Sequence, residues 1–394
     1  MVGIRKPMRI GLDCSSAVLK NRTGVGNYTF NLAHALARVD KENFYVFYPF
    51  FYRVFLGIEK NTRLPKAKNT RIAYNGLPHF LFYFLLSKGT PSFFKEKMLG
   101  DVDIVHSTNF SAPRLKNKKL VVTIYDLTVF THPECHQKGN IDFCAKGIKD
   151  ALSNADKIIA ISEHTKKDLI DILNAPSDMI SVTQLAAGSD YYEVKDMAAI
   201  RLTKEKYNLP ENYILFVGSL EPRKNIKTLL KAYSMVPVKM RKDFPLVIAG
   251  AKGWLNSDIP ALVEGLGIKE SVRFTGYIDA ADISAVYSGA TVFAYPSLYE
   301  GFGLPILEAM SCGSPVVTSN TSSMPEVAGD AALLVDPLNA EELAFGLETV
   351  LEKESLRAEM RKKGLARAST FSWDRCAKET VEVYRKAAAS PKRS

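Results

Sequence analysis

The sequence of 394 residues lacks three features that would each assign it to a broad class. Its five cysteines form no C-x-x-C pair, so neither a disulfide framework nor a zinc ribbon is indicated. The most apolar stretches, at 44–58 and 79–86, are too short for a membrane-spanning helix, and the first contains Arg53. The amino terminus has no apolar core of a signal peptide, and we therefore expect an intracellular, cytoplasmic protein.

Three common ligand-binding motifs are also missing or misplaced. The sequence contains no P-loop, and Gly301 and Gly303 are not followed by the third glycine of a dinucleotide fingerprint. Asp101 and Asp103 form a D-x-D pair, but they precede a predicted strand, whereas ligands bind beyond the carboxyl ends of parallel strands. We interpret this pair as a turn. The sequence therefore favours neither an ATPase nor a dehydrogenase, and it predicts no metal site.

Positive charge is concentrated in the first 120 residues. They hold 20 Lys and Arg against 7 Asp and Glu, a net charge of +13, although the whole chain carries only +10. Such an excess indicates either an anionic partner or charges scattered over a solvated surface. No nucleic-acid-binding module is recognisable. Because aromatic stretches at 44–58 and 79–98 lie in the same region, we predict peripheral contact with an anionic membrane face; the alternative is that 80–86 is simply a core element.

Short strands rich in Val and Ile alternate with amphipathic helical segments along the whole chain. Apolar strands without polar alternation predict parallel sheets covered by helices on both faces. The fold class is therefore α/β, with two doubly wound, Rossmann-like domains. We place the domains at 1–190 and 191–371, with a helix at 372–390, capped by Ser372, joining the first. The predicted strands are 9–13, 44–48, 70–74, 103–107, 120–125, 157–162, 213–218, 245–250, 272–276, 291–295, 315–319 and 332–336.

The most informative segment, EGFGLPILEA, follows the predicted strand 291–295. A loop with Gly301 and Gly303 leads into a helix with Pro305 in its first turn. Backbone N–H groups and the positive end of the helix dipole make such a loop an anion site, which suits a phosphate-bearing ligand. Glu300 in the loop and Glu308 in the helix can accept hydrogen bonds from different hydroxyls of one extended ligand.

This segment resembles the signature of the family 4 glycosyltransferases of the GT-B fold, in which E-x7-E stands within E-G-F-G-L-P-x-L-E-A. The resemblance implies two Rossmann-like domains facing across a cleft and a metal-independent, retaining transfer of a hexose. The donor would be a GDP- or UDP-hexose, with no further cofactor. Glu308 would bind the ribose and Glu300 the sugar hydroxyls. The donor diphosphate would meet the backbone amides of Gly301, Phe302, Gly303 and Leu304.

A second constellation, VGSLEPRKNIKTLLKAY, follows the first strand of the second domain. Gly218 allows a turn, Asn225 can cap the next helix, and Arg223 and Lys224 lie in the loop between them. Two adjacent cations suit a departing diphosphate, which gains charge as its bond to the sugar breaks. The segment resembles G-R-L-x-x-x-K-N of the same family, with Ser219 in place of the family's Arg, and this implies that Arg223 and Lys224 bind the donor diphosphate.

The first domain carries further resemblance. The loop TGVGNY is similar to T-G-[IV]-G-x-Y of bacterial O-antigen-type mannosyltransferases in this family, which implies that Gly24 and Gly26 allow close approach to donor phosphate and acceptor. In TIYDL, Tyr125 replaces a frequent His and leaves Asp126 as the candidate catalytic group. His106 is either a weaker candidate or a core histidine. Ser162 and Thr165, in a further matching segment, are interpreted as a helix cap.

These features predict an enzyme that moves a hexose from a nucleotide sugar to a glycan or lipid-linked acceptor. The resemblance favours GDP-mannose as the donor. Two alternatives remain open, a sugar-nucleotide epimerase of the same fold and a non-catalytic nucleotide-sugar-binding protein. Retention of Arg223, Lys224, Glu300 and Glu308 argues against the second.

Overall fold

The computed structural model describes residues 6–19, 22–49, 63–73, 91–109, 112–250 and 258–391. The chain divides into two compact units. The first comprises Met1–Leu185 and Ser372–Ser394, and the second comprises Ala186–Phe371. The division after Leu185 lies slightly before the boundary that the sequence indicates at residue 190.

The first unit is built on a parallel sheet of seven strands in the order β3-β2-β1-β4-β5-β6-β7. The strand order reverses between β1 and β4, so the topological switch point lies between them. The sequence pattern predicts no strand at the position of β7. The strands are Arg9–Asp13, Phe44–Tyr48, Thr70–Ile72, Ile104–Ser107, Lys119–Ile124, Lys157–Ala160 and Ile180–Val182.

Helices cover this sheet, and the last of them comes from the end of the chain. This helix, Trp373–Ala389 (α15), packs against the helix Gly24–Val39 (α1) and against β4, β5 and β6. Ser372 caps it as expected, since the Ser372 hydroxyl accepts a hydrogen bond from the Arg375 amide. The helices of the unit are α1 (Gly24–Val39), α2 (Ser92–Leu99), α3 (Thr128–Thr131), α4 (Lys138–Asn154), α5 (Glu163–Leu173) and α15 (Trp373–Ala389).

The second unit has a parallel sheet of six strands in the order β10-β9-β8-β11-β12-β13. Its switch point lies between β8 and β11. The strands are Ile214–Val217, Leu246–Ala249, Val272–Gly276, Val292–Tyr295, Val316–Ser319 and Ala332–Val335. The helices are α6 (Met197–Lys206), α7 (Ile226–Met235), α8 (Val238–Asp243), α9 (Ile259–Gly265), α10 (Ile283–Ser288), α11 (Leu304–Ser311), α12 (Met324–Ala328), α13 (Ala340–Glu352) and α14 (Glu354–Ala368).

Strands β8, β9 and β11 are almost wholly buried, which explains their apolar sequences. The prediction of two doubly wound parallel α/β domains is confirmed.

The predicted membrane contact falls largely on residues that the structure does not describe. Residues 50–58 and 79–90 of the two aromatic stretches lie outside the described ranges. Within those ranges, no helix combines the length and the apolar character that crossing a membrane requires. The contact therefore stays a prediction.

Candidate functional site

The switch point of the second sheet brings together the two segments that the sequence singles out. The chain that follows β8 forms a short 3-10 turn, Pro222–Lys224, and the chain that follows β11 forms the loop that leads to α11. A backbone hydrogen bond joins them, from the Leu298 amide to the Arg223 carbonyl at 2.8 Å, and the Ser297 hydroxyl oxygen lies 3.1 Å from the same carbonyl oxygen. The cations and the glutamate loop are thus held at one sheet edge by backbone geometry.

Glu300 is the centre of this cluster. One carboxylate oxygen, Oε2, lies 2.7 Å from Arg223 Nη1, and the other, Oε1, lies 2.7 Å from Lys224 Nζ. The same Oε1 accepts hydrogen bonds from the Ser297 hydroxyl at 2.6 Å and the Tyr295 hydroxyl at 2.8 Å. The side chains of Glu300 and Lys224 are about nine-tenths buried. The structure therefore unites three residues that sequence reasoning selected from two separate motifs.

The charges of this cluster perturb one another strongly. Burial alone would raise the pKa of Glu300, but the Arg223 and Lys224 charges outweigh it and hold that pKa well below its usual range. Burial and the adjacent Arg223 lower the pKa of Lys224, although Glu300 opposes them. A buried carboxylate that two cations neutralise stays ionised at neutral pH, and it keeps both cations fixed in place.

Sequence reasoning missed a second carboxylate, that of Glu221. Its Oε1 lies 2.7 Å from Arg223 Nη2 and 4.0 Å from Lys224 Nζ, and the side chain is buried. The sequence does carry a signal: Glu221 stands two residues before Arg223 in the same strand-to-helix loop. Two carboxylates therefore face two cations. An anionic ligand would meet two cations that are already held in place by the carboxylates of Glu221 and Glu300.

Glu308 has different surroundings on α11. The carboxylate is half-buried, and its Oε2 lies 3.4 Å from the Tyr287 hydroxyl. Tyr191 supplies a second hydroxyl partner. Burial raises the pKa of Glu308 to about 7, although these hydroxyls and Lys224 oppose the rise. The two glutamates of the motif thus differ: one is permanently ionised, and the other titrates near neutral pH.

The loop between the two glutamates has a defined backbone. The Glu300 amide donates to the Ser322 hydroxyl at 3.0 Å, and the Ser323 hydroxyl donates to the Glu300 carbonyl at 2.8 Å. Gly303, with φ of +100°, precedes the first residue of α11 in a conformation that favours glycine. Phe302 is buried, and its ring packs edge-on against Phe371. Gly301 is buried as well, and Leu304 begins the helix.

Asn225 differs from the expectation. It occupies the position before α7, but its side chain makes no capping hydrogen bond to that helix. Its amide nitrogen donates instead to the carbonyls of Pro296 and Pro337, at 3.0 and 2.6 Å. These bonds tie the loops after β8, β11 and β13 together. The backbone φ of Asn225 is +59°, in the left-handed region. The prediction that Asn225 caps the helix was therefore wrong.

Close backbone approach explains the glycine after β9. A Cβ atom on Gly250, which follows β9, would lie 1.9 Å from the Gly218 carbonyl oxygen. The two strand ends therefore touch backbone to backbone beside the cation loop.

Two of the predicted first-unit residues have structural roles in the described chain. A Cβ atom on Gly26 would lie 2.6 Å from the Ser16 carbonyl oxygen, whereas one on Gly24 would meet open space. Asp126 Oδ1 accepts hydrogen bonds from the Thr128 amide, at 3.0 Å, and from the Thr128 hydroxyl. This turn precedes α3. The ligand roles predicted for Gly24, Gly26 and Asp126 stay predictions.

His106 is a core histidine. It is fully buried, with Nδ1 2.8 Å from the Tyr384 hydroxyl and Nε2 2.8 Å from the Thr123 hydroxyl. Burial lowers the pKa of His106 to about 3, so the ring is neutral at physiological pH. Of the two interpretations of His106, the structure favours the structural one.

The remaining motif interpretations agree with the structure. Asp101 and Asp103 precede β4 and bond to Arg9, as expected for a turn at the amino edge of the sheet. Ser162 caps α5 by accepting from the Thr165 amide. In the ranges that the structure describes, no group of three His, Cys, Asp or Glu side chains is placed to hold a metal ion.

Comparison with known proteins covers both units. Residues 22–184 match the family model described as Glycosyltransferase Family 4, and residues 200–367 match the one described as Glycosyl transferases group 1. The chain is 39% identical over 284 residues to O-antigen chain mannosyltransferase B of Escherichia coli, covering 72% of this chain and 74% of that protein.

It is also 35% identical over 237 residues to the serotype-specific mannosyltransferase WbdA of Escherichia coli, covering 59% of this chain but only 29% of that protein. Among solved structures, Anabaena HepE in complex with UDP-glucose is similar with a TM-score of 0.73 and 18% identity, covering 96% of this chain and 99% of that chain. At this identity the likeness shows the fold alone, and the predicted GT-B fold is confirmed.

Proposed function

Because the chain belongs to the group 1 glycosyltransferases and is itself a glycosyltransferase, we propose that it transfers a mannosyl residue from GDP-mannose to a glycan or lipid-linked acceptor, with retention of configuration. The relatives that support the sugar are named as mannosyltransferases. The observation that carries the proposal is the buried cluster of Arg223, Lys224 and Glu300 at the switch point of the second sheet.

The cluster suits stabilisation of a departing diphosphate. As the bond between C1 of the sugar and the phosphate oxygen breaks, its electron pair moves to that oxygen, where Arg223 and Lys224 can stabilise the charge. The cations need no reorganisation, because Glu300 and Glu221 already hold them. Glu308, with its two hydroxyl partners, suits the ribose hydroxyls of the nucleotide, and the backbone of Gly301 to Leu304 suits the phosphates.

Retention requires that the acceptor oxygen bond to C1 on the face that the diphosphate leaves. A carboxylate nucleophile is one route, but Glu300 is a poor one, because two cations hold its pKa low and both its oxygens are engaged. The other route is direct attack, in which the acceptor oxygen bonds to C1 as the diphosphate leaves. The acceptor proton passes to the departing phosphate oxygen, so charge balances and no covalent sugar–enzyme intermediate forms. In this scheme Glu300 orients the cations and contacts sugar hydroxyls.

The first test is acceptor-dependent release of nucleoside diphosphate. With GDP-mannose and a mannosylated acceptor, we expect GDP to appear together with a lengthened glycan of unchanged anomeric configuration, read by NMR. An epimerase would convert the sugar nucleotide without an acceptor, and a binding protein would release no GDP. Saturating donor at about 100 times its dissociation constant should stabilise the fold by about 2.7 kcal/mol, so a thermal-shift panel of GDP- and UDP-sugars identifies the donor.

We also propose that the transfer needs no divalent metal. In this proposal, Arg223 and Lys224 supply the positive charge that a metal ion would otherwise bring to the diphosphate. Turnover measured after treatment with excess EDTA should equal the untreated rate. A loss of activity that added Mg²⁺ or Mn²⁺ restores would contradict this part of the proposal.

A further inference from the structure

The first segment of the second unit, directly after Leu185, contacts Glu308 of the motif. This joining segment, Ala186–Asp196, places the Tyr191 hydroxyl beside the carboxylate of Glu308. The Tyr191 ring also packs against the ring of Tyr287, with centroids 6.1 Å apart and an angle of 63° between the ring planes. Glu308 is thus held by one tyrosine from α10 and one from the joining segment.

The joining segment is tied firmly to α10. The Ser284 hydroxyl accepts from the Tyr192 amide at 3.2 Å and donates to the Asp190 carbonyl at 2.5 Å. One turn later, the Ser288 hydroxyl accepts from the Val194 amide at 3.0 Å. These bonds flank Tyr191 on both sides, so the position of its ring is determined by backbone contacts.

The same contacts extend to the end of the helix that carries Glu308. The Ser288 hydroxyl donates to the Cys312 carbonyl, the residue after α11, at 2.9 Å. Glu193 of the joining segment pairs with Arg361 on α14 at 2.8 Å, and α14 packs against α11. The joining segment and α11 therefore form one connected hydrogen-bonded assembly, with the Tyr191 hydroxyl as its contact to the Glu308 carboxylate.

We propose that Tyr191 is a positioning residue that orients the Glu308 carboxylate for the ribose of the donor, so that the first segment of the second unit takes part in donor binding. This inference rests on the proposed function, in which Glu308 binds the ribose. Tyr191 is not a catalytic residue, because it acts through Glu308.

The charge state of Glu308 provides a specific readout. The groups that face it in the described chain are the hydroxyls of Tyr191 and Tyr287, the ammonium of Lys224 and the thiol of Cys312, the residue after its helix. Burial raises the pKa of Glu308 to about 7, and the two tyrosine hydroxyls oppose this by stabilising the carboxylate. Removal of one hydroxyl therefore raises that pKa further.

The test is GDP binding by isothermal titration calorimetry from about pH 6 to about pH 9, on the full chain and on Tyr191→Phe. The wild-type affinity should rise as Glu308 ionises. Near pH 7, Tyr191→Phe should lose about 3- to 10-fold in affinity, because the carboxylate loses a hydrogen bond and is more often protonated. At the upper end of this pH range most of the loss should disappear. In turnover assays the donor KM should rise while kcat stays nearly unchanged.

The neighbouring tyrosine is a matched control. Tyr192 has an exposed side chain, and its contact with Ser284 uses the backbone amide, which Tyr192→Phe retains. This variant should reproduce the wild-type pH curve. Because phenylalanine keeps the ring that packs on Tyr287, Tyr191→Phe should unfold at a temperature close to the wild type, as checked by calorimetry.

Glu308→Gln distinguishes the proposed ribose contact of Glu308 from the proposed positioning role of Tyr191. It should weaken GDP binding and remove the Glu308 contribution to the pH curve, and Tyr191→Phe added to it should have no further effect. If Glu308→Gln binds GDP as the wild type does, the proposed ribose contact is wrong. If Glu308→Gln weakens binding but Tyr191→Phe follows the wild-type curve, the ribose contact stands and the positioning role of Tyr191 is wrong.

Discussion

At the scale of single residues, both oxygens of the Glu300 carboxylate are held by Arg223, Lys224 and two hydroxyls in a buried setting. Removing one partner of such a cluster leaves a charge without compensation, which costs more than an exposed ion pair contributes. The same arrangement that would bind a diphosphate therefore also contributes to the stability of the second unit.

Arg223→Ala and Lys224→Ala should each lower turnover on the order of 100-fold or more, because each removes a fixed charge aimed at the departing diphosphate. Steady-state kinetics with saturating donor measures the effect. Lys227→Ala, at the second residue of α7, is the control, since Lys227 is half-exposed and pairs with Asp258 at the surface. Near-normal turnover in both cation variants would exclude the diphosphate role.

Glu300→Gln should lower the free energy of unfolding at pH 7 by about 3 kcal/mol, because two buried cations lose their main counter-charge. Since the folded-state pKa of Glu300 is depressed, its stabilising effect is present above the unfolded pKa of about 4 and is lost as pH falls below it. The difference between variant and wild type should therefore shrink in acid.

Urea denaturation at several pH values measures this difference. Glu264→Gln is the matched control, because Glu264 is an exposed carboxylate that pairs with Lys269 at the surface. Equal unfolding free energies for Glu300→Gln and the wild type at pH 7 would show that the buried cluster contributes nothing to stability.

At the scale of elements, the ends of the neighbouring strands β8 and β9 pack closely beside the site, and Gly250 makes the closest of these contacts. Its φ is +146°, and an added Cβ would lie 1.9 Å from the Gly218 carbonyl oxygen. Because the obstacle is backbone and cannot rotate away, β8 and β9 would have to move apart. That movement would displace the loop that carries the two cations.

Gly250→Ala should destabilise the second unit by on the order of 2 kcal/mol or more and lower donor affinity. Thermal unfolding and nucleotide titration measure the two effects. Gly265→Ala, in α9, is the control, because an added Cβ there meets nothing within 4 Å and alanine favours a helix. A Gly250→Ala protein as stable as this control would contradict the close-packing argument.

At the scale of the whole molecule, the excess of positive charge lies in the first 120 residues. An acceptor on a lipid carrier would be reached at a membrane face, and Lys or Arg near an anionic surface contributes about 1 kcal/mol each. The chain should therefore sediment with vesicles that contain phosphatidylglycerol and much less with vesicles of pure phosphatidylcholine.

Binding to these vesicles should fall as salt rises, because surface attraction decays over a Debye length of about 8 Å at physiological ionic strength. If the protein is recovered equally in the supernatant with and without anionic vesicles at low salt, the predicted contact with an anionic membrane is wrong.

The local sequence determined the fold class and most of the strands, and it selected Arg223, Lys224, Glu300 and Glu308 as candidate site residues, because apolar periodicity and motif spacing are local properties. Sequence reasoning could not foresee that Asn225 binds two distant carbonyls. It left two interpretations of His106 open, and only the structure decided for the core histidine.

Only the tertiary structure decided the charge state of each group. The two glutamates of one motif acquire opposite pKa shifts, because Glu300 lies between two cations and Glu308 is held only by burial and tyrosine hydroxyls. Tyr191 meets Glu308 through a contact between residues more than 100 positions apart, and such a contact has no spacing in the chain from which it could be read. Pairing and desolvation depend on which residues become neighbours, and folding alone decides that.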